Sequence, residues 1–146
     1  MKKFFALLLA SLLFAAVISC LSSCAGSYDI SYGELYVYEN GGDKRTLVFD
    51  KDGTGVYTVK KTHYKLEATV DFMWTVSDDG SLYMFDEKVT FKEGSSTYNY
   101  DNFCSLTDFP CSFSSDVIGF LTGSTVLRFI RQGSELDGLG SANQRN

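Results

Sequence analysis

An antiparallel all-β fold is what this sequence predicts, built as an up-and-down barrel or a strongly curved meander sheet. Three observations predict it. After the first thirty or so residues, aromatic and β-branched residues alternate with polar ones at the two-residue period of a strand. Clusters of Gly, Asn and Asp interrupt the alternation about every 8–12 residues, as hairpin turns do. The chain has a single proline, Pro110, so no strand loses a ladder amide to proline.

The first element lies outside that fold. Lys2 and Lys3 precede a run from Phe4 to Ile18 that is apolar apart from Ser11. The run is shorter than the roughly 20 apolar residues a membrane-spanning helix needs. A basic start, a short apolar run and small residues after it make a signal peptide. Leu21-Ser22-Ser23-Cys24 then reads as a lipobox and resembles the bacterial lipoprotein signals. Cleavage before Cys24 would expose a thiol that takes a diacylglyceryl group, and two or more acyl chains hold a protein stably on a bilayer. Val17-Ile18-Ser19-Cys20 is a poorer site, with a bulky residue two positions before the cysteine. The expected organisation is a cleaved signal peptide (1–23), a lipidated tether (24–31), a β-barrel domain (32–133) and a polar, disordered tail (134–146).

The strands follow in order. Gly33 to Glu39 is the first, with Tyr36 and Tyr38 on one face. Asn40-Gly41-Gly42-Asp43 turns the chain, because Gly and Asn tolerate positive φ. Arg45 to Phe49 is the second strand, and Asp50-Lys51-Asp52-Gly53 turns into the third, Gly55 to Lys61. Tyr64 to Val70 and Phe72 to Val76 are one bent strand or two. Ser77-Asp78-Asp79-Gly80 is a hairpin turn into Ser81 to Phe85. Lys88 to Lys92 and Thr97 to Phe103 flank a turn at Glu93-Gly94-Ser95-Ser96. A short helix is expected from Ser114 to Leu121, capped by Ser115 and carrying Val117, Phe120 and Leu121. Thr125 to Arg131 is the last strand.

Composition bounds the partners. Loss of residues 1–23 leaves 123 of the 146 residues, enough for one domain with one core. It removes two lysines and no acid, so 11 cations face 18 acids and the mature net charge is −7. That sign argues against nucleic acid and anionic membrane surfaces as partners. Of the four cysteines, Cys20 leaves with the leader and Cys24 is lipidated. Cys104 and Cys111 remain, outside the cytoplasm, and are expected to form a disulfide contributing about 2–3 kcal/mol. No metal or other cofactor is expected, since His63 is the sole histidine and no CxxC spacing occurs.

The motifs that carry chemistry fall short. Asp50-Lys51-Asp52-Gly53-Thr54-Gly55 begins like a calcium loop, but its twelfth position is Lys61, where a bidentate carboxylate belongs. His63 has no nucleophile placed beside it by a recognisable motif, and no phosphate-cradling glycine loop is present. A non-enzymatic protein is expected. The aromatics Tyr36, Tyr38, Trp74, Tyr98 and Tyr100 are the candidate ligand-binding residues. They fit core and core-edge packing equally well.

Leu47 to Tyr57 with its Asp-Gly-Thr-Gly hairpin, then Phe72-Met73-Trp74-Thr75-Val76, then the hairpin to Ser81-Leu82-Tyr83, resembles the small lipocalin-like lipoproteins of bacteria. The likeness covers about half of the mature chain and rests on turns and packing residues. Gly33-Glu34-Leu35 stands where the lipocalin pattern has Gly-x-Trp. The resemblance implies a curved sheet or barrel. The expected function is a lipid-anchored envelope binding protein that holds a small apolar or sugar ligand. The alternatives are an inhibitor of a basic envelope-attacking enzyme and a structural envelope component. Ala25, after the anchor, suits outer-membrane sorting by resemblance to lipoprotein rules.

Overall fold

A computed structural model describes residues 29–137. The expected signal peptide with Cys20, the expected lipidation site Cys24, most of the expected tether and the tail after residue 137 lie outside the described residues.

The fold is the predicted all-β one. Eight antiparallel strands form a single sheet: β1 (Tyr36–Asn40), β2 (Asp43–Phe49), β3 (Thr54–Lys61), β4 (Leu66–Val76), β5 (Leu82–Phe91), β6 (Cys111–Phe113), β7 (Val117–Thr122) and β8 (Thr125–Arg131). Their order is β5-β4-β3-β2-β1-β8-β7-β6, and the sheet curls strongly into a half-barrel. First and last strands meet in register, Val37 opposite Ile130. The two edges, β5 and β6, carry no ladder between them.

Alternation places the core. Leu47, Phe49, Tyr57, Val59, Ala68, Val70 and Phe72 point inward along β2, β3 and β4. Phe129 of β8 lies among Tyr38, Tyr57 and Phe120, with ring centroids 5.8, 6.2 and 5.7 Å away. Each such ring contributes about 1.5–3 kcal/mol by leaving water. Among the described residues these side chains pack against one another on the concave face of the sheet. Gly55 is part of that packing: a Cβ there would lie 2.3 Å from the Phe72 ring and 2.7 Å from the Val48 carbonyl.

The structure joins some predicted pieces. β4 is one strand, with a register shift between Asp71 and Met73. The two segments on either side of Asp86 are one strand, β5, because Asp86 at φ +53 is absorbed as an extra residue opposite that shift.

It corrects others. Ser114 to Leu121 is not a helix but a turn followed by β7, since Ile118 and Phe120 alternate inward and pair with Phe129 and Leu127. Thr97 to Phe103 is not a strand. Asn99 takes positive φ, 54°, and starts a one-turn helix, α1 (Tyr100–Phe103). Cys104 and Cys111 are unbonded. The Cys104 side chain is buried in the core, whereas Cys111 opens β6 and its Sγ donates to the carbonyl of Ser112, 3.6 Å away. Ile30, expected in the tether, is buried in the core. Ser134 to Asp137, expected in the tail, forms a turn in which Asp137 accepts from the Gly133 amide.

The segment from Lys92 to Pro110 crosses the open seam between β5 and β6. Leu106 plugs into the core. Glu87 on β5 holds the segment, accepting from the Tyr100 hydroxyl and the Leu106 amide. Topology gives the half-barrel two rims. The distal rim holds the β1–β2 hairpin and the 3-10 turn Thr62–Tyr64. The entry rim receives the chain at Asp29 and holds the β2–β3 and β4–β5 turns.

Candidate functional site

The distal rim gathers charge and aromatic surface around β2 and β3. Asp43 opens β2 and Lys61 closes β3, directly opposite each other in the ladder. Arg45, two residues into β2, shares the inward face with Leu47 and Phe49. It is the one charged residue of the described chain that is buried, its side chain 6 % exposed against 20 % for Asp43.

A buried cation must be paired and fully hydrogen-bonded to be tolerated. Arg45 Nε and Nη2 donate to the two oxygens of Asp43 at 2.9 and 2.8 Å, a planar fork on a planar carboxylate. Nη1 donates to the Tyr57 hydroxyl at 3.0 Å. The guanidinium also lies 5.7 Å from the centre of the Tyr38 ring. Burial alone would lower the Arg45 pKa, but the Asp43 hydrogen bond and the nearby groups outweigh it and raise it. Burial raises the Tyr57 pKa, so its hydroxyl stays protonated.

Lys61 shares the same anion. Its Nζ lies 3.1 Å from Asp43 Oδ2 and 4.8 Å from the centre of the Phe103 ring. Phe103 pairs with Tyr64 at 4.4 Å between centroids. Two cations thus face one carboxylate, so the trio Asp43, Arg45 and Lys61 carries one net positive charge in an otherwise acidic protein.

Two turns shape a cleft beside this group. Gly41 and Gly42 both take positive φ, 50° and 92°, which closes the hairpin in two residues. The Thr62 amide donates to the Gly42 carbonyl and ties the 3-10 turn to it. His63 packs on Gly42, where a Cβ would come within 3.4 Å of its ring. The cleft, about 190 Å³, is lined by Asn40, Gly41, Gly42, Asp43, Lys61, His63 and Tyr64. It offers an aromatic face, amide and carboxylate oxygens, an ammonium and an imidazole. That mixture suits recognition of a small polar molecule with a hydrophobic face.

The aromatic candidates do not form one site. Tyr36 and Tyr38 belong to the core. The Tyr36 hydroxyl donates to the Ser115 carbonyl and accepts from the Ser31 amide, bracing the entry rim. Tyr38 lies below Arg45 and supports the distal rim. Trp74 sits at the entry rim, its Nε1 donating to the carbonyls of Thr54 and Asp50. Tyr98 is exposed. The Tyr100 pKa is raised, first by burial and then by the Glu87 charge, so its hydroxyl stays protonated and donates to Glu87.

Reasoning from sequence missed Asp43, Arg45, Lys61, Tyr64 and Phe103. One signal was present: the parity of Arg45 with Leu47 and Phe49 puts a charge on the inward face. Burial pushes the Cys104 thiol up to about 11 and the Cys111 thiol up to about 12, so both stay protonated at neutral pH. Among the described residues no three His, Cys, Asp or Glu side chains come together as metal ligands would. No protein-family model, curated protein or solved structure matches the chain.

Proposed function

We propose that this chain is a lipid-anchored, non-enzymatic binding protein of the bacterial cell envelope, sorted to the outer membrane, whose ligand is a small sugar unit held in the distal-rim cleft. The cleft itself carries the reading. An open aromatic ring, Tyr64, stands beside Lys61, Asp43, Asn40 and His63. A sugar presents apolar C–H faces to such a ring and hydroxyls to such polar groups. The residual positive charge favours a sugar bearing a carboxylate or phosphate over a neutral one. The aromatic cluster packed on the concave face favours the rim cleft over an apolar ligand held there. Leu21-Ser22-Ser23-Cys24 supports the anchor.

Thermal melting against a panel of envelope sugars tests the site. A ligand at 100 times its Kd stabilises the fold by about 2.7 kcal/mol. Acidic sugars should raise the melting temperature, and Tyr64→Ser and Lys61→Met should each remove the shift. A panel without effect, or a shift that survives both substitutions, would overturn the assignment. Membrane fractionation of Cys24→Ala tests the anchor, which fails if the variant stays with the membrane.

A further inference from the structure

The entry rim carries an exposed apolar surface that the distal-rim cleft does not use. On the outer face of β4 and β5, Met73 pairs with Phe85 and Thr75 with Tyr83. Met73, Tyr83 and Phe85 stand next to one another there, 37–53 % exposed. Large apolar side chains exposed as a group mark an interaction surface. On the same rim Tyr32 stacks on Trp74 at 5.8 Å, with Lys51 Nζ 5.9 Å from the Tyr32 ring centre.

The chain leading to this rim limits what can cover it. Asp29 follows Cys24 by five residues, a reach of under about 18 Å even when fully extended. Ile30 is locked in the core and the Ser31 hydroxyl donates to the Ser115 carbonyl, so the tether has no slack beyond Asp29. A lipid on Cys24 therefore holds the entry rim against the bilayer and points the distal cleft away from it. Tyrosine, tryptophan and lysine are the side chains that settle at a membrane–water interface. The turns of this rim also carry Asp50, Asp52, Asp78 and Asp79 against Lys51. Anionic lipid would repel them.

We propose that the outer face of the β4–β5 hairpin, together with Tyr32, is a membrane-docking surface that lies on zwitterionic lipid when the chain is anchored. This rests on the lipid-anchor reading above. The ligand cleft is then held facing away from the membrane.

Trp74 is the only tryptophan of the chain, so its fluorescence reports on this rim alone. The lipidated protein is reconstituted into phosphatidylcholine vesicles with and without brominated phosphatidylcholine, and flotation is measured alongside. Docking predicts co-flotation, at least twofold quenching of Trp74 by the brominated lipid, and loss of most quenching in Met73→Ser/Tyr83→Ser/Phe85→Ser without loss of flotation. These side chains are exposed, and circular dichroism checks that the triple variant folds. Adding phosphatidylglycerol at low salt should weaken the quenching in the wild-type protein, a readout that needs no variant. Wild-type protein that floats with Trp74 unquenched overturns the docking surface and leaves the anchor standing. Protein that does not float overturns both. A concentration-dependent dimer of the unlipidated protein that the triple substitution dissolves would assign the patch to a second copy and overturn the proposal.

Discussion

Asp43→Asn is the sharpest probe of the distal rim, because it removes a charge and keeps the shape. Asp43 pairs with both Arg45, with a side chain 6 % exposed, and Lys61, 13 % exposed. Without it two cations face each other with little water between them. Breaking a buried ion pair costs about 3–5 kcal/mol. The asparagine carbonyl still accepts a hydrogen bond and the site is partly wet, so a loss of about 2–3 kcal/mol is expected. The converse substitution acts differently. Arg45→Met leaves Asp43 with Lys61 and solvent, but strips the buried Tyr57 hydroxyl of its donor. That costs about 1–3 kcal/mol. Replacing both partners, Arg45→Met with Tyr57→Phe, removes the orphaned group and should recover about 1 kcal/mol over Arg45→Met alone. Urea denaturation followed by circular dichroism reads all of these as shifts of midpoint at constant slope. The reasoning is refuted if Asp43→Asn lies within about 0.5 kcal/mol of the wild type. It is equally refuted if the double variant is no more stable than Arg45→Met.

Two further outcomes follow from packing and from burial. Gly55→Ala should lose about 1–3 kcal/mol by overpacking; adding Phe72→Leu should restore only part, because the Val48 carbonyl at 2.7 Å remains, and full recovery would show that the ring alone sets the cost. On the alkaline side, burial raises the thiol pKa values of Cys104 and Cys111 to about 11 and about 12, against an unfolded value near 8.5. Their contribution to stability is fully present below about pH 8.5 and is lost as pH rises through the folded values. The urea midpoint should fall across that window, and less steeply in Cys104→Ala; an unchanged slope would exclude a thiol contribution.

The legible parts of this protein were the ones written in local chemistry. Asn40-Gly41-Gly42-Asp43 and Asp50-Lys51-Asp52-Gly53 can only turn, and the residues between them alternate, so β1, β2 and β3 could be placed within a few residues. The Val117 to Thr122 segment was ambiguous because six residues are too short for periodicity to separate a strand from a helix. Its ladder with β8 decided it. Thr97 to Phe103 has aromatics at strand spacing, yet the left-handed backbone at Asn99 breaks the extension. The cysteine pair was inferred from compartment, which says that a disulfide can persist and nothing about whether two thiols meet. The rim site was hidden for a different reason. Asp43, Lys61, Tyr64 and Phe103 are scattered along the chain and become neighbours only through the β2–β3 register and the segment crossing the seam.

The sequence by itself determined the strand rhythm and most of the turns, because each depends on residues within about ten positions of one another. Tertiary structure decided which rim carries the charge cluster, that Phe129 packs among Tyr38, Tyr57 and Phe120, and that the chain enters on the rim opposite the cleft. The charge cluster depends on the β2–β3 register and on Phe103 arriving from the segment that crosses the seam. The ring packing depends on the closure of β1 onto β8, which joins residues some ninety positions apart, and no local preference encodes such contacts.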